Sequence, residues 1–228
     1  PYTYCFNNPL RFIDPDGMRV NVSQLSKTHQ KSLQKFMLTD EGKTFIGRYM
    51  KAGDVLNIGN ISYTWNKSGD REKDWLQMRS VDFKEGGKNG NNLTLDKISK
   101  DPDIHMLSED KINYLMENGV YQIISLNENL SEDDAVVTLG HEAFVHTDKD
   151  ADKLTNLEQY PNAPLNEKRD HLETIRHSAN PEHRALGNGE IKKFLNFVKE
   201  LTKATGNKYY ENKYYEQVKD YKNRKDIY

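Results

Sequence analysis

Apolar positions in this chain switch between two periods, and the switches mark out the expected elements. From Ser23 to Met37, the residues Leu25, Leu33, Phe36 and Met37 fall at roughly helical spacing. Thr39-Asp40 closes that segment and opens another that carries Phe45, Ile46, Tyr49 and Met50. Two short helices are predicted, with their charged faces and His29 exposed to solvent. The period then drops to two. Val55–Ile58 and Ile61–Trp65 flank Gly59-Asn60 and read as a hairpin, and Leu76–Phe83 alternates as a half-buried strand. Gly86–Asn92 reads as a flexible loop, without the Lys-Ser/Thr ending of a phosphate-binding loop. A short helix from Ser108 to about Glu117 ends at Gly119, and the β-branched and aromatic run Val120–Leu126 predicts a further strand closed by Asn127-Glu128-Asn129. Near the end, Ile191, Phe194, Leu195, Val198 and Leu201 form one apolar stripe on a long helix.

The stretch from Ser131 to His146 departs from this routine. Ser131, with Glu132, Asp133 and Asp134 behind it, supplies a capping hydroxyl and negative charge for the first turn of a helix. Ala135, Leu139 and Ala143 give that helix one apolar face. Within it stand His141, Glu142 and His146, an unfavourable set to place beside a core unless the polar groups share a ligand. The usual zinc-hydrolase pattern His-Glu-x-x-His puts two imidazoles four residues apart on one helical face. Here the spacing is five. In a regular helix five residues rotate the second side chain by about 140° from the first, so the two could not reach one ion. A single-turn π-bulge between His141 and His146 would absorb the extra residue. A regular helix with Glu142 and His146 as the facing pair is the alternative, and a hydrogen-bonded structural His141 is the plainest reading of all.

His141-Glu142-x-x-x-His146 resembles the His-Glu-x-x-x-His variant of the zincin metallopeptidases found in the dipeptidyl peptidase III family. The resemblance implies that His141 and His146 bind Zn2+ and that Glu142 is the general base. It also implies a zincin-like α+β fold: a small antiparallel sheet beside a metal-binding helix, with further helices N- and C-terminal to it and an edge strand able to take an extended peptide.

A catalytic zinc takes three protein ligands. His183 is the chosen third, because it follows the Asn180-Pro181 turn at the entry to a new helix, the kind of position from which zincins supply the downstream ligand. Glu182 and His177 are the alternatives, and His171 is assigned to the surface. Asp150, four residues past His146, could orient its ring or bind the ion itself, or belong to a solvated charged face. Among the tail tyrosines, Tyr209 to Tyr215 are candidates to hydrogen-bond a tetrahedral oxyanion, with packing and surface roles as the ordinary alternative.

Composition narrows the function classes. The chain has 228 residues, 35% hydrophobic and 30% charged, and a net charge of −2. Such a balance gives no strong basic field to hold nucleic acid. No run approaches the ~20 apolar residues of a membrane span, and the first residues carry no signal-peptide pattern. Cys5 is the only cysteine, which excludes an intrachain disulfide and a cysteine-based zinc site.

Residues 1–18 read as an extended aromatic piece ending in turns, at Asn8-Pro9 and at Asp14-Pro15-Asp16-Gly17. The string Tyr4-x-x-Asn7-Asn8-Pro9-Leu10-x-x-x-Asp14-Pro15-x-Gly17-Met18 closely resembles the closing segment of the Rhs-repeat core, the shell of polymorphic toxins. This resemblance implies a scaffold segment at 1–18 and an effector domain at 19–228. It further implies an aspartate-dependent self-cleavage near Met18, although Asp14 and Asp16 serve equally well as turn residues. The expected function is a zinc metallopeptidase toxin, a secreted effector carried by an Rhs shell and its secretion apparatus into a target cell, with a protein or peptide substrate and a cognate immunity protein. Two alternatives stay open: a metal-dependent nuclease toxin using His177, Asn180 and His183, and a non-enzymatic binding or pore-forming module.

Overall fold

A computed structural model of the chain describes residues 19–83, 89–94, 121–147 and 188–223. They form an α+β unit. Strand β1 (Val20–Gln24) leads into helices α1 (Lys27–Phe36) and α2 (Asp40–Gly47). Strands β2 (Val55–Ile58), β3 (Ile61–Thr64), β4 (Trp75–Val81), β5 (Gly90–Thr94) and β6 (Tyr121–Asn127) follow. Helix α3 (Glu132–His141) runs directly into a π-helical turn (Glu142–Thr147), and α4 (Asn188–Thr205) and α5 (Tyr209–Asn223) complete the order.

A small antiparallel sheet is present, but it is not the one beside the histidine-bearing helix, which is mixed. The main sheet has the order β1-β4-β6-β5, in which β1–β4 and β4–β6 are parallel and only β5 runs antiparallel, on β6. The chain travels from β1 to β4 through two helices and a hairpin, and a connection of that length lets it return to the same end and enter the next strand in the same direction. The tight hairpin β2–β3 is a separate two-stranded antiparallel sheet that turns at Gly59 with φ of 61°. In β6 every residue from Gln122 to Leu126 is buried, as a central strand covered on both faces requires.

Three helix starts follow their local signals. Ser26 accepts from the His29 amide, Thr39 from the Gly42 amide and Ser131 from the Asp134 amide. The first helix begins later than its apolar spacing suggested, because Val20 and Val22 alternate into the core as strand β1 and Ser26 sets the boundary. His29 is also corrected: it is fully buried, with Nδ1 2.7 Å from the Ser80 Oγ, and that oxygen accepts from the Ser26 amide at 2.8 Å. Gly90-Asn91-Asn92, assigned to a loop, belongs to β5 and pairs with Leu126, Ser125 and Ile124 of β6. Weak strand formers are tolerated there because the backbone ladder to β6 carries the pairing. The predicted helix at 108–117 lies outside the described residues.

An aromatic core holds the π turn that continues α3 in place. Phe36 stacks on Phe144 at 5.8 Å and tilts against Phe197 at 5.0 Å, and Phe45 meets Phe144 edge-on at 5.8 Å. Charge fixes the same helix at its start. The Lys35 ammonium lies 2.7 Å from Glu132 and 2.6 Å from Asp133, and Tyr210 donates to Asp133 at 2.6 Å. Partial burial opposes the Lys35 charge, yet the bonds to Asp133 and Glu132 outweigh it and raise its pKa well above the usual lysine value. Among the described residues no helix is long and apolar enough to cross a membrane.

Candidate metal centre

The candidate centre grows out of the junction between α3 and its π turn. Upstream of the junction the helix is regular and capped. Ser131 Oγ accepts from the Asp134 amide at 3.1 Å, and its hydroxyl donates to Asp134 Oδ2 at 2.6 Å. At Glu142 the helix widens, and Thr147 Oγ1 donates to the Glu142 carbonyl at 2.9 Å, tying the ends of the π turn together. The wider turn takes up the one residue that a regular helix would have spent rotating His146 away.

His141 and His146 therefore face each other. Their Nε2 atoms lie 3.1 Å apart, with ring centroids at 5.0 Å and planes at 69°. Two nitrogens on one tetrahedral zinc, each at 2.0–2.1 Å, would be separated by about 3.3–3.4 Å. The observed distance is short of that by only a few tenths of an ångström. Glu142 is buried beside the pair, at 6% exposure, and one ligand atom from each of the three side chains falls within a 4.8 Å group. Among the described residues this is the one such group of three. Imidazole nitrogen with carboxylate oxygen is a donor set that suits zinc, whereas magnesium and calcium favour oxygen alone. The three residues could hold a transition-metal ion such as zinc.

The regular-helix alternative, with His141 turned elsewhere, does not describe this geometry. Of the other predicted site residues, His183, His177, Glu182 and Asp150 lie outside the described residues, as do Asp14, Asp16 and Met18. Tyr209 and Tyr210 are placed apart from the histidines. Tyr209 donates to Asp134 and Tyr210 to Asp133, both in the first turn of α3 and so at the opposite end of the helix. Burial and the bond to Asp134 raise the Tyr209 hydroxyl pKa far above its ordinary value. Tyr214 packs edge-on to Phe194 at 5.1 Å, and Tyr215 is exposed.

Two glycines shape the centre, and neither stood out in the sequence. At Gly90, the first residue of β5, an added Cβ would lie 2.8 Å from Glu142 Oε1 and 2.7 Å from Thr138 Cγ2. A glycine within a strand marks a close approach of another group, but that signal was hidden because the segment resembled a loop. At Gly140, an added Cβ would lie 2.4 Å from a Phe197 ring carbon. A glycine inside a helix costs about 1 kcal/mol relative to alanine. This one is explained by the closeness of α4.

Comparison with known proteins gave no match: no family model fits the chain, and no curated protein or solved structure matches it significantly.

Proposed function

We propose that this chain is a zinc-dependent hydrolase, specifically a peptidase, with His141 and His146 as ligands and Glu142 as general base. One observation carries the reading: two imidazole Nε2 atoms converge to 3.1 Å beside a buried carboxylate. His183 is the proposed third ligand, with Glu182, His177 and Asp150 as the alternatives. When bound, a zinc ion would supply Lewis acidity toward a carbonyl and lower the pKa of a water.

The remaining chemistry belongs to the protein. Glu142 accepts one proton as the water oxygen bonds to the carbonyl carbon, and it passes that proton to the amide nitrogen as the C–N bond breaks. Gly90 gives this carboxylate room against β5. Among the described residues β5 ends the sheet order, and an extended peptide laid along it would add a strand and bring its own carbonyls past Glu142. That placement favours a peptide over a nucleic acid, as does the net charge of −2.

The biological setting rests on residues 1–18 and their resemblance to the Rhs closing segment. On that basis the domain from 19 onward is a toxin delivered by an Rhs shell, countered by a cognate immunity protein.

The test is elemental analysis of the purified chain and its His146→Ala variant, paired with growth inhibition by wild type and Glu142→Gln. One zinc per chain, lost with His146→Ala, and a harmless but zinc-loaded Glu142→Gln are expected. Undiminished killing by Glu142→Gln rejects the general-base role. A wild type without zinc rejects the centre.

A further inference from the structure

We propose that Phe194 is a positioning residue for the candidate metal centre: its ring holds the His141 imidazole in the orientation that faces His146. The proposal rests on the zinc reading above. Phe194 lies on α4, is 1% exposed, and meets His141 edge-on with centroids 5.9 Å apart and planes at 79°. His141 in turn meets His146 at 5.0 Å. Behind Phe194 stands the buried Tyr214 of α5, also edge-on, at 5.1 Å and 67°. The row Tyr214, Phe194, His141, His146 thus passes from the C-terminal helices to the ligand pair, each ring set against the next.

Such support matters because an unrestrained histidine samples several rotamers, and binding a metal must freeze it in one. A neighbouring ring that has already selected the rotamer removes that cost before the ion arrives. The backbone is built to permit this. Gly140 precedes His141, and an added Cβ there would lie 2.4 Å and 2.7 Å from Phe197 atoms and 3.2 Å from a Phe194 ring carbon. Only a residue without a side chain lets α4 sit this close to the turn that carries the ligand.

Phe194 could instead be a space-filling core residue with no bearing on the metal. Phe197 separates the two ideas. It lies one turn further along α4, is 0% exposed, and spends its ring on Phe36 and Phe144 at 5.0 Å and 5.4 Å. Replacing either phenylalanine by leucine removes a ring of the same size from the same helix, and only one of the two touches a ligand.

The experiment measures zinc affinity of the full chain by competition with a chromophoric chelator, for wild type, Phe194→Leu and Phe197→Leu. Phe194→Met is run beside them as a second ringless variant in case leucine compromises folding. Edge-to-face contacts of this kind are worth up to about tenfold in an equilibrium constant. Phe194→Leu is therefore expected to weaken zinc binding by about five- to tenfold and to shift the visible spectrum of the cobalt-substituted protein. Phe197→Leu should lower thermal stability by a similar amount and leave zinc affinity within about twofold. Wild-type zinc affinity in the ringless Phe194 variants, or an equal loss in Phe197→Leu, overturns the positioning role while leaving the centre standing. A wild type that binds no zinc overturns both.

Discussion

Gly90 and Glu142 come so close that a single methyl group between them would overlap the carboxylate: a Cβ at position 90 would lie 2.8 Å from Oε1 and 3.0 Å from Cγ of the glutamate. The edge strand and the π turn are thereby joined at the atom proposed to move protons. Gly90→Ala should leave the fold intact, because position 90 lies outside the left-handed region and alanine can adopt its backbone. Both the flexible Glu142 side chain and the buried Thr138 methyl, 2.7 Å from the new Cβ, must give way. A displacement of about 1 Å at a reacting group can cost on the order of 100-fold in rate. Growth inhibition should therefore fall steeply while zinc content stays near wild type and the melting temperature drops by only a few degrees, and full toxicity would detach Gly90 from the site.

Gly140→Ala sets two effects against each other. Alanine gains about 1 kcal/mol of helix propensity over glycine. The new methyl would also press into the Phe197 ring from 2.4 Å, and overpacking of a core typically costs 1–3 kcal/mol. Steric cost should win, because Phe197 is fully buried between Phe36 and Phe144 and has nowhere to go. Urea denaturation should show a lower midpoint for the variant; a higher one would mean that α4 moves aside freely.

Zinc should stabilise the chain by mass action. A ligand that binds only the folded state adds about 4 kcal/mol at a thousandfold excess over its Kd. In a protein of 228 residues each kcal/mol moves the midpoint by about 2–4 °C. Differential scanning calorimetry with and without a chelator should thus separate the two melting temperatures by about 10 °C in the wild type. His146→Ala should show little or no difference.

His29 predicts a pH dependence. Burial, chiefly, holds its pKa below the ordinary 6.5, against the opposing pull of the Leu130 backbone and Glu128. The folded state therefore favours the neutral ring. Its contribution is complete above the unfolded value of 6.5 and is lost as the pH falls from there through the lower folded value, by about 1.4 kcal/mol for each unit between them. Asp70 and Asp133, whose pKa values are lowered below 3.8, lose their contribution only at more acid pH. Between pH 8 and pH 5 the urea midpoint of the wild type should fall further than that of His29→Asn. An equal fall in the two proteins would remove His29 from the account.

Much of what surrounds the candidate centre was legible in the chain because it is governed by neighbours in sequence. The caps at Ser131 and Thr39, the turn at Gly59, and the fact that histidines five apart could share an ion only through a π turn are all consequences of geometry over a few residues. What remained hidden depends on partners far along the chain. The direction of the β1–β4 pairing is set by the path between the strands and not by the strands themselves. His29 looked exposed on its own helix and is buried by Ser80, 51 residues away. Gly86–Asn92 reads as a loop because its residues form strands poorly in isolation, and from Gly90 onward β6 supplies the ladder that overrides them.

The spacing of His141, Glu142 and His146, with its capped helix, was determined by the sequence alone, because helical phase is a local property. That the two imidazoles would meet, that Glu142 would lie against an edge strand, and that Phe194 would stand behind His141 were decided only in the tertiary structure. Contacts between distant segments depend on which faces the whole chain must bury together, and no short stretch carries that information.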